Sequence, residues 1–350
     1  MNGNSLNPEL NDFRNSISVD SSTRPFVIAE INTGHFGEME KAIDAIKIAA
    51  GAGCNCIKFQ SFSPNSLYSK RYLEEHKIES RMYSKLSLHN DELRELSVEA
   101  LTSGIGFSST VYSLAEAEFL AGLPNVSFIK IASMDIDNLD LIRGVSRLGL
   151  PVVLSSGMAT VEEVAAAVEA CHESTYQKIV VLHCVSLYPT PIGDLNILNI
   201  DLLSRMFPNV EIGFSDHSEG TIAGGFAVVR GARVIEKHLT LDKTRPGFDN
   251  AMALDAMEMQ EYVSNCHAAS RSLGSPERVL TDAEIEQRQK MRRSLVYSKS
   301  MKVGELLTSD QIELRRPGTG IPVSGLGEVL GRRLLIDVVE GDFVRLDHLV

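Results

Sequence analysis

The sequence predicts an α/β protein built as a (β/α)8 barrel, the TIM-barrel fold. Short apolar runs alternate with amphipathic segments along most of the chain. Eight strands, each followed by a helix, fit within about 250 residues, which is the number and size expected for such a barrel. No Gly-rich dinucleotide loop follows the first strand, which disfavours an open doubly wound sheet.

The strands are predicted from short runs of β-branched and aromatic residues, and the helices from apolar residues at helical spacing. The predicted strands are Phe26–Ile31, Cys54–Gln60, Ile105–Ser109, Phe128–Ala132, Val152–Ser155, Ile179–Cys184, Glu211–Phe214 and Val234–Lys237. The helical patterns include Met39–Ala50, Asp91–Ser103, Leu114–Leu120, Val161–Cys171, Ile222–Val229 and Met257–Leu273. Because helices alternate with strands, the sheet is expected to be parallel.

The composition is that of an ordinary soluble protein with an excess of acidic residues. The chain has 350 residues and a formal net charge of −12, which disfavours nucleic acid and anionic membranes as partners. No apolar run approaches the roughly 20 residues of a membrane span, and the N-terminus lacks a signal-peptide core. The five cysteines show neither a disulfide framework nor a zinc-site spacing. A cytoplasmic protein with reduced thiols is therefore expected.

Shifts in composition predict four segments. They are an N-terminal extension at 1–23, a barrel domain at 24–274, a charged linker at 275–293 and a compact module at 294–350. Within the module, the stretch 303–312 is echoed by 340–349, which indicates an internal two-fold repeat. Since about 57 residues is a marginal size for an independent core, the module is expected to dock onto another surface.

Polar side chains gather where the predicted strands end. In a (β/α)8 barrel the functional groups lie at the carboxyl ends of the strands. Buried barrel strands are normally apolar, so charged residues there must be neutralised or used. The candidates are Glu30, Lys58, Gln60, Ser109, Thr110, Lys130, Ser133, Asp135, Ser155, Ser156, His183, Ser186, Tyr188, Ser215, His217 and His238. A single member of this set could be an ordinary buried polar residue, whereas the whole set predicts a functional site.

Two histidines point to a metal. His217 and His238 follow the ends of two successive predicted strands. Neighbouring parallel strands lie about 4.8 Å apart, so the two imidazoles can share one divalent ion. Asp249 follows on the next loop and could take a ligand or a substrate hydroxyl. Either histidine alone is better explained as a hydrogen-bonded residue at a strand end, and the metal hypothesis therefore depends on the pair.

The residue types also suggest the chemistry. Lysines and hydroxyl groups are the donors that surround a phosphate or a carboxylate. These donors are Lys58, Lys130, Ser109, Thr110, Ser133, Ser155 and Ser215. Glu30 and Asp135 can orient hydroxyls or take a proton from water, and a metal on the histidines would polarise a carbonyl oxygen. A small phosphorylated acid that meets a metal-bound carbonyl is the chemistry that these groups predict.

A series of short motifs resembles the sialic acid synthase (N-acetylneuraminate synthase) family. The motifs are FVIAEI at 26–31 with His35 and Gly37, IKFQ at 57–60, IKIAS at 129–133, LSSGM at 154–158, LHC at 182–184, YPTP at 188–191, SDH at 215–217 and EKHLT at 236–240. LRRPGTG at 314–320 is similar to that family's antifreeze-like (SAF, β-clip) domain. The resemblance extends from residue 24 to the end of the chain, and the order and spacing of the motifs make it specific.

The resemblance implies a transferase that condenses phosphoenolpyruvate with a 2-acetamido sugar such as N-acetylmannosamine. The products would be a nine-carbon 2-keto acid and phosphate, released by carbon–oxygen cleavage. It also implies a domain-swapped homodimer and a divalent metal, with Mn²⁺ as the first choice and Mg²⁺ or Co²⁺ as alternatives. By position, His217 and His238 would bind the metal, while Glu30 and Asp135 would handle protons or hydroxyls. Phosphoenolpyruvate would be bound by Lys58, Thr110, Lys130, Ser133, Ser155 and Ser215, and the sugar by Gln60, Ser186, Tyr188, Asp249 and Arg316.

Most departures from the family pattern fall on the sugar side. Gly34 stands where the family has Asn before the His, and Ser186 stands where it has Asn before the Tyr. Asp135 replaces a Glu, and Phe248 replaces the Pro of Gly-Pro-Asp. A site built for one hydroxyl pattern rejects a mismatched sugar, so the acceptor can differ from plain N-acetylmannosamine.

Two other classes of function stay open at this point. One is a related phosphoenolpyruvate-condensing synthase for a phosphorylated pentose or tetrose, although the SAF-like module argues against it. The other is a catalytically silent barrel that binds or scaffolds. The lysines and histidines argue against loss of activity, and the changes on the sugar side keep the alternative open.

Overall fold

The computed structural model describes residues 24–173, 178–245 and 249–350, and the extension expected at 1–23 lies outside them. In the described part of the chain, eight parallel strands close into a barrel in sequence order. The strands are β1 (Phe26–Glu30), β2 (Cys56–Ser61), β3 (Gly106–Val111), β4 (Val126–Ile131), β5 (Val152–Ser155), β6 (Ile179–Cys184), β7 (Glu211–Asp216) and β8 (Val234–His238). The predicted (β/α)8 barrel is therefore confirmed.

Helices connect the strands on the outside of the barrel. They are α1 (Met39–Gly51), α2 (Pro64–Leu67), α3 (Lys70–Glu75), α4 (Lys77–Leu86), α5 (Asn90–Thr102), α6 (Leu114–Ala121), α7 (Leu139–Ser146), α8 (Val161–His172), α9 (Asn199–Met206), α10 (Ala223–Val229) and α11 (Ala256–Ser272). Helices α2 and α3 bury no side chain, so no apolar periodicity marks them in the sequence. No helix among the described residues has the length and apolar character needed to cross a membrane.

The barrel strands have two faces with different partners. One face packs against the surrounding helices in a large apolar cluster. The other face points into the barrel, where a separate apolar cluster forms its lower layers. The members of this inner cluster are Phe26, Ile28, Cys56, Phe128, Val153, Val180, Leu182 and Val234. Since alternate residues share a face, the side chains two positions further along these strands continue the same inner surface towards the carboxyl ends.

A buried ion pair on the outer face anchors the ends of β7 and β8. Lys237 Nζ lies 3.1 Å from Asp216 Oδ2, and both side chains are fully buried. The hydroxyl of Tyr262 on α11 donates to the same carboxylate oxygen at 2.9 Å. Ser218 donates to the other oxygen through its backbone N–H and its hydroxyl. Asp216 and Lys237 immediately precede His217 and His238, so this network fixes the two strand ends that carry the histidines.

A second compact unit covers Ser275–Val350. It contains α12 (Asp282–Met291), the antiparallel strands β9 (Ser294–Tyr297) and β10 (Ile312–Arg315), and α13 (Leu326–Val329). Its own apolar core consists of Leu295, Tyr297, Met301, Leu307, Val329, Leu334, Val338, Val344 and Leu349. The small antiparallel sheet agrees with the second domain expected from the sequence.

The internal repeat of the second unit has matching backbone features. Gly304 and Gly341 both have positive φ, at 86° and 89°. A single 3₁₀ turn follows each of them, at Ser309–Gln311 and at Leu346–His348. Equivalent glycines are needed in the two repeats because this backbone conformation disfavours a residue with a Cβ.

We predict that Gly213→Ala destabilises the barrel by about 1–3 kcal/mol. Gly213 lies on the inner face of β7, where an added Cβ would sit 2.3 Å from the carbonyl oxygen of Val234 and 2.5 Å from Leu182. The free energy of unfolding in guanidinium chloride measures the effect. Gly193→Ala is the matched control, because nothing lies within 4 Å of its added Cβ. Equal stability of the two variants would contradict the packing assigned to this layer.

Candidate active site

The carboxyl ends of the eight strands enclose a cavity of about 310 Å³. Every strand, or the loop that follows it, contributes to its wall. The lining residues are Glu30, Asn32, Lys58, Gln60, Thr110, Tyr112, Lys130, Ala132, Ser133, Met134, Ser155, Met158, Cys184, Ser186, Tyr188, Ser215, His217, Glu236, His238 and Asp249. Many lie two positions apart on one strand, as Lys58 and Gln60 do, because alternate residues share the inner face. The cavity therefore sits above the apolar layers of the barrel.

One lysine on the cavity wall is held between two carboxylates. Lys58 forms an ion pair with Glu30, and its Nζ lies 3.6 Å from Glu236 Oε2. Its ammonium also donates to Thr110 Oγ1 at 3.0 Å. Burial by itself would lower the pKa of Lys58, but Glu236 and Glu30 outweigh it and raise that pKa. The protonated form of Lys58 is therefore favoured at this wall.

The two carboxylates differ in their affinity for a proton. Burial raises the pKa of Glu30 despite its contact with Lys58. Burial also opposes ionisation of Glu236, but Lys58, Lys130 and a hydrogen bond from Ser215 lower its pKa to about 2. Glu236 is thus the fixed negative charge of the site, and Glu30 is the carboxylate that exchanges a proton more readily.

The second lysine of the cavity, Lys130, has neutral hydrogen-bond partners. Its Nζ donates to Ser155 Oγ at 2.6 Å and to the Ile131 carbonyl oxygen at 3.1 Å. Burial lowers its pKa, since these neutral contacts compensate less than a paired carboxylate would. A buried ammonium with this environment is suited to receive an anion.

The two histidines lie together on the cavity wall formed by the ends of β7 and β8. Their ring centroids are 5.4 Å apart with the planes inclined at 67°. Nδ1 of His217 lies 2.8 Å from the Val185 carbonyl oxygen, to which it donates in one tautomer, and Nε2 lies 3.4 Å from Ser215 Oγ. Nδ1 of His238 lies 3.5 Å from Asp249 Oδ2. Each ring is therefore oriented by a protein contact at its Nδ1.

The pKa values of the histidines shift in opposite directions. Burial would lower the pKa of His217, but its contacts with Cys184 and the Val185 carbonyl raise it. Burial and the neighbouring His217 hold the pKa of His238 well below its ordinary value. A neutral imidazole is the form that binds a metal ion.

The donor set fits a divalent ion with open coordination positions. Among the described residues, no three His, Cys, Asp or Glu side chains are grouped so that they could hold a metal ion, and an ion here would have two histidine ligands. Two imidazoles leave positions for water and substrate oxygens, as a catalytic ion requires. The carbonyl of Val185 behind His217 is the kind of outer contact that orients metal-binding histidines.

Comparisons with known proteins assign the chain to a family. The model of the NeuB family matches residues 45–278, and the SAF domain model matches residues 292–350. The chain belongs to the NeuB family. The resemblance inferred from the sequence motifs is therefore confirmed.

Several relatives of this NeuB-family chain are sugar-acid synthases by name. It is 32% identical to N,N'-diacetyllegionaminic acid synthase of Legionella pneumophila, over 94% of this chain and 96% of the relative. It is 33% identical to pseudaminic acid synthase of Campylobacter jejuni, over 94% and 97%. The crystal structure of N-acetylneuraminic acid (sialic acid) synthetase from Leptospira borgpetersenii with citrate superimposes with a TM-score of 0.70 at 30% identity, covering 76% of this chain and 90% of that one.

The barrel of this NeuB-family chain brings most of the predicted site residues together. Those that line the cavity are Glu30, Lys58, Gln60, Thr110, Lys130, Ser133, Ser155, Ser186, Tyr188, Ser215, His217, His238 and Asp249. Asp135 is half-buried on the 3₁₀ turn Ser133–Asp135 and is not part of the lining. Arg316 belongs to the second unit and is exposed. The replacement noted at Phe248 lies outside the described residues.

Besides Asp135, three polar residues from the predicted rim lie outside the cavity lining. One of them is Ser156, whose Oγ donates to the Leu182 carbonyl oxygen at 3.0 Å. The other two, Ser109 and His183, point away from the cavity. Ser109 Oγ lies 2.6 Å from Ser61 Oγ, and His183 Nε2 lies 2.7 Å from the Leu195 carbonyl oxygen. Each lies at an odd step from a cavity residue, Thr110 and Cys184 respectively, so strand alternation turns it outward. Their positions near strand ends were correct, and their assignment to the rim ignored this alternation.

The cavity also contains residues that sequence reasoning did not select. Glu236 is the most consequential, and its position two residues before His238 would have placed it on the same inner face. Tyr112 follows Thr110 by the same spacing, and its hydroxyl donates to Gln60 Oε1 at 3.0 Å. Asn32 lies on a loop, where no strand alternation could have indicated its direction.

We predict that Lys58→Met lowers the free energy of unfolding by about 3–5 kcal/mol at pH 8, because it leaves two buried carboxylates without their cation. Without that cation, burial and mutual repulsion raise the pKa of Glu30 and Glu236 above the unfolded value of about 4.3. Folding then takes up protons, so the loss should shrink as the pH falls to 5. Denaturant unfolding at both pH values measures the difference.

Lys70→Met is the control for this substitution. The Lys70 side chain is 90% exposed on α3, at the limit of ion-pair distance from Glu74. Its removal should change stability little at either pH, because exposed pairs are weak. A loss for Lys58→Met that is the same at both pH values would contradict the role assigned to the two carboxylates.

Proposed function

We propose that this chain condenses phosphoenolpyruvate with a 2-acetamido sugar and releases phosphate. With a hexosamine as acceptor, the product is a nine-carbon 2-keto acid. The observation that carries this proposal is a single cavity in which two buried lysines share the wall with a pair of histidines. The lysines suit the anionic donor, and the histidines suit a cation next to the aldehyde of the sugar. The synthase names of its relatives support the same class of reaction.

Phosphoenolpyruvate would lie over Lys58 and Lys130. Lys130 is the more important of the two for charge, because its hydrogen bonds go to neutral oxygens and an incoming anion supplies the missing partner. Hydroxyl groups on the same cavity complete the donor set. They belong to Thr110, Ser133, Ser155 and Ser215. Charge-assisted hydrogen bonds from these groups would hold the phosphate and carboxylate oxygens.

His217 and His238 would hold the divalent ion, with Mn²⁺ as the first choice and Mg²⁺ or Co²⁺ as alternatives. When bound, the ion supplies a Lewis acid for the aldehyde oxygen of the open-chain sugar. The ring of Tyr188 lies 4.2 Å from that of His217 and 6.1 Å from that of His238, centroid to centroid. It covers the histidines and would place one flat face against the sugar.

The reaction forms two bonds at the carbons of phosphoenolpyruvate and breaks the one that joins carbon 2 to the phosphate oxygen. Carbon 3 of phosphoenolpyruvate bonds to the aldehyde carbon, and the aldehyde oxygen becomes a hydroxyl by taking a proton. Water adds at carbon 2, and the bond between carbon 2 and the phosphate oxygen breaks, so that its electron pair leaves with phosphate. The 2-keto group forms as the hydroxyl on carbon 2 gives up its proton to the departing phosphate.

Glu30 would take the proton from the attacking water and return it to the sugar oxygen. Burial raises its pKa, which improves a carboxylate as a base near neutral pH. Gln60 Nε2 donates to Glu30 Oε1 at 3.1 Å, and the backbone N–H of Asn32 donates to the same oxygen at 2.8 Å. These contacts fix the carboxylate while the ion pair with Lys58 keeps it turned into the cavity.

The proposal predicts phosphate release from phosphoenolpyruvate with Mn²⁺ and a six-carbon 2-acetamido sugar. The panel of acceptors should contain N-acetylmannosamine, a 2,4-diacetamido-trideoxyhexose, a pentose phosphate and a tetrose phosphate. Released phosphate and the mass of the keto acid are measured for each. Release only with the pentose or tetrose phosphate would support the related synthase instead, and no release with any acceptor would support a silent barrel.

A histidine variant controls for the site of this activity. His217→Ala should abolish both turnover and Mn²⁺ binding measured by calorimetry, because it removes half of the imidazole pair. His172→Ala is the matched control, since His172 is exposed at the end of α8. Retained Mn²⁺ affinity in His217→Ala would place the metal elsewhere.

We also propose a domain-swapped homodimer in which Arg316 of one subunit contacts the sugar bound by the other. Apolar side chains on the surface of the second unit, including Val303, Leu335 and Val339, suit a unit that docks onto another surface. Arg316 is exposed next to the end of β10. It belongs to the LRRPGTG motif at 314–320, which resembles the family's SAF domain. A guanidinium there would donate hydrogen bonds to sugar hydroxyls from several N–H groups held in a rigid plane.

Mixed dimers test this assignment. Co-expression of an Arg316→Ala chain with a His217→Ala chain should restore part of the activity, because one of the two barrels then has intact histidines and receives an intact Arg316. Each variant alone should be inactive or severely impaired. The control is an Arg332→Ala chain expressed alone, which should keep the activity of the native chain. Absence of rescue in the mixed dimer would count against a residue that acts across subunits.

A further inference from the structure

The loop after β1 supplies a cavity residue that the proposed reaction leaves without a use for its side chain. Asn32 lines the cavity next to Glu30. Its φ is +44°, in the left-handed region that Asn tolerates better than most residues. This backbone conformation departs from the strand direction and turns the chain at the cavity mouth.

The side chain of Asn32 connects the first and last strands of the barrel. Its Nδ2 donates to Asp249 Oδ2, on the loop that follows β8. Its backbone N–H donates to Glu30 Oε1 at 2.8 Å. Asn32 thus bridges the carboxylate that handles protons and the carboxylate assigned to the sugar.

The loop that carries Asn32 is fixed by other contacts. The guanidinium of Arg245, on the loop after β8, lies 3.9 Å from the ring centroid of Phe36 and 3.1 Å from Glu38 Oε1. Gly37 lies so close to α4 that an added Cβ would sit 1.9 Å from the Lys85 carbonyl oxygen. Binding a ligand therefore requires little further ordering of this loop.

The chemistry of the amide defines what it can bind. A carboxamide has two N–H donors and one carbonyl acceptor, and the bond to Asp249 uses one donor. The remaining donor and acceptor match a hydroxyl or an acetamido group, both of which can donate and accept. Glu30 and Asp249 flank this position, so a phosphate group would be repelled there.

We infer that Asn32, together with Asp249, recognises a neutral hydroxyl or acetamido group of the acceptor sugar and thereby sets acceptor specificity. This inference rests on the proposed function and adds to it a binding residue and a substrate class. The acceptor is the neutral sugar, and its phosphate ester is the poorer substrate.

Asn32→Gly tests the role of the amide. Glycine adopts a φ of +44° without strain, so the variant should fold. Its KM for the acceptor sugar should rise about tenfold, the loss expected for roughly one good hydrogen bond. Its KM for phosphoenolpyruvate should stay unchanged, because Lys58 and Lys130 keep their contacts. Steady-state kinetics with each substrate varied in turn separates the two values.

Asn196→Gly is the matched control. Asn196 has nearly the same backbone conformation, with φ at +47°, and it is exposed and absent from the cavity lining. Both KM values of this variant should equal those of the native chain. The comparison removes any effect that comes from placing glycine in a left-handed turn.

The outcomes separate this inference from the proposed function. An active native chain with an unchanged acceptor KM in Asn32→Gly overturns the role of Asn32 alone. A parallel rise in both KM values also overturns it, because that result indicates a general structural role. Preference for the sugar 6-phosphate over the neutral sugar overturns the assigned substrate class. A native chain that is silent with every acceptor overturns both proposals.

Discussion

The ion pairs of Lys58 with Glu30 and Glu236 connect the first two strands of the barrel with the last one. Strand β1 pairs with β2 on one side and with β8 on the other, so that Glu30 lies opposite Lys58 and opposite His238. The three charged side chains therefore come from three adjacent strands at the place where the sheet closes. Barrel closure and charge compensation depend on each other, because none of these side chains could stay buried and charged without the others.

Not every buried charge inside the barrel is paired with an opposite charge of the protein. The unpaired charge determines which ligands the cavity can bind. Lys58 is satisfied by protein carboxylates, whereas the hydrogen bonds of Lys130 go to neutral oxygens. The apolar layers beneath exclude water from below, which strengthens every charge interaction above them. An anion at Lys130 and a cation at the histidine pair would complete the site. The cavity would thus have one region that prefers anions, at Lys130, and another that prefers cations, at the histidine pair.

The same strands serve the site from both faces. His217 and His238 face the cavity, while the residues just before them, Asp216 and Lys237, form a buried ion pair with the Tyr262 hydroxyl on the outside. This outer network fixes the separation of the two histidines on their separate strands. The loop after β1 is fixed in a similar way at the cavity mouth, where the Asn32 side chain donates a hydrogen bond to Asp249.

The sequence by itself determined the barrel, its order of strands and the residue types of the site. Strands β5 and β6 even have the bounds expected from their apolar runs, because fully buried strands leave a clear pattern. Tertiary structure decided which polar side chain of each adjacent pair faces inward, as Thr110 does and Ser109 does not. It also decided the contact between Asn32 and Asp249, which are 217 residues apart. Local patterns cannot encode such a contact, because it exists only once the first and last strands meet.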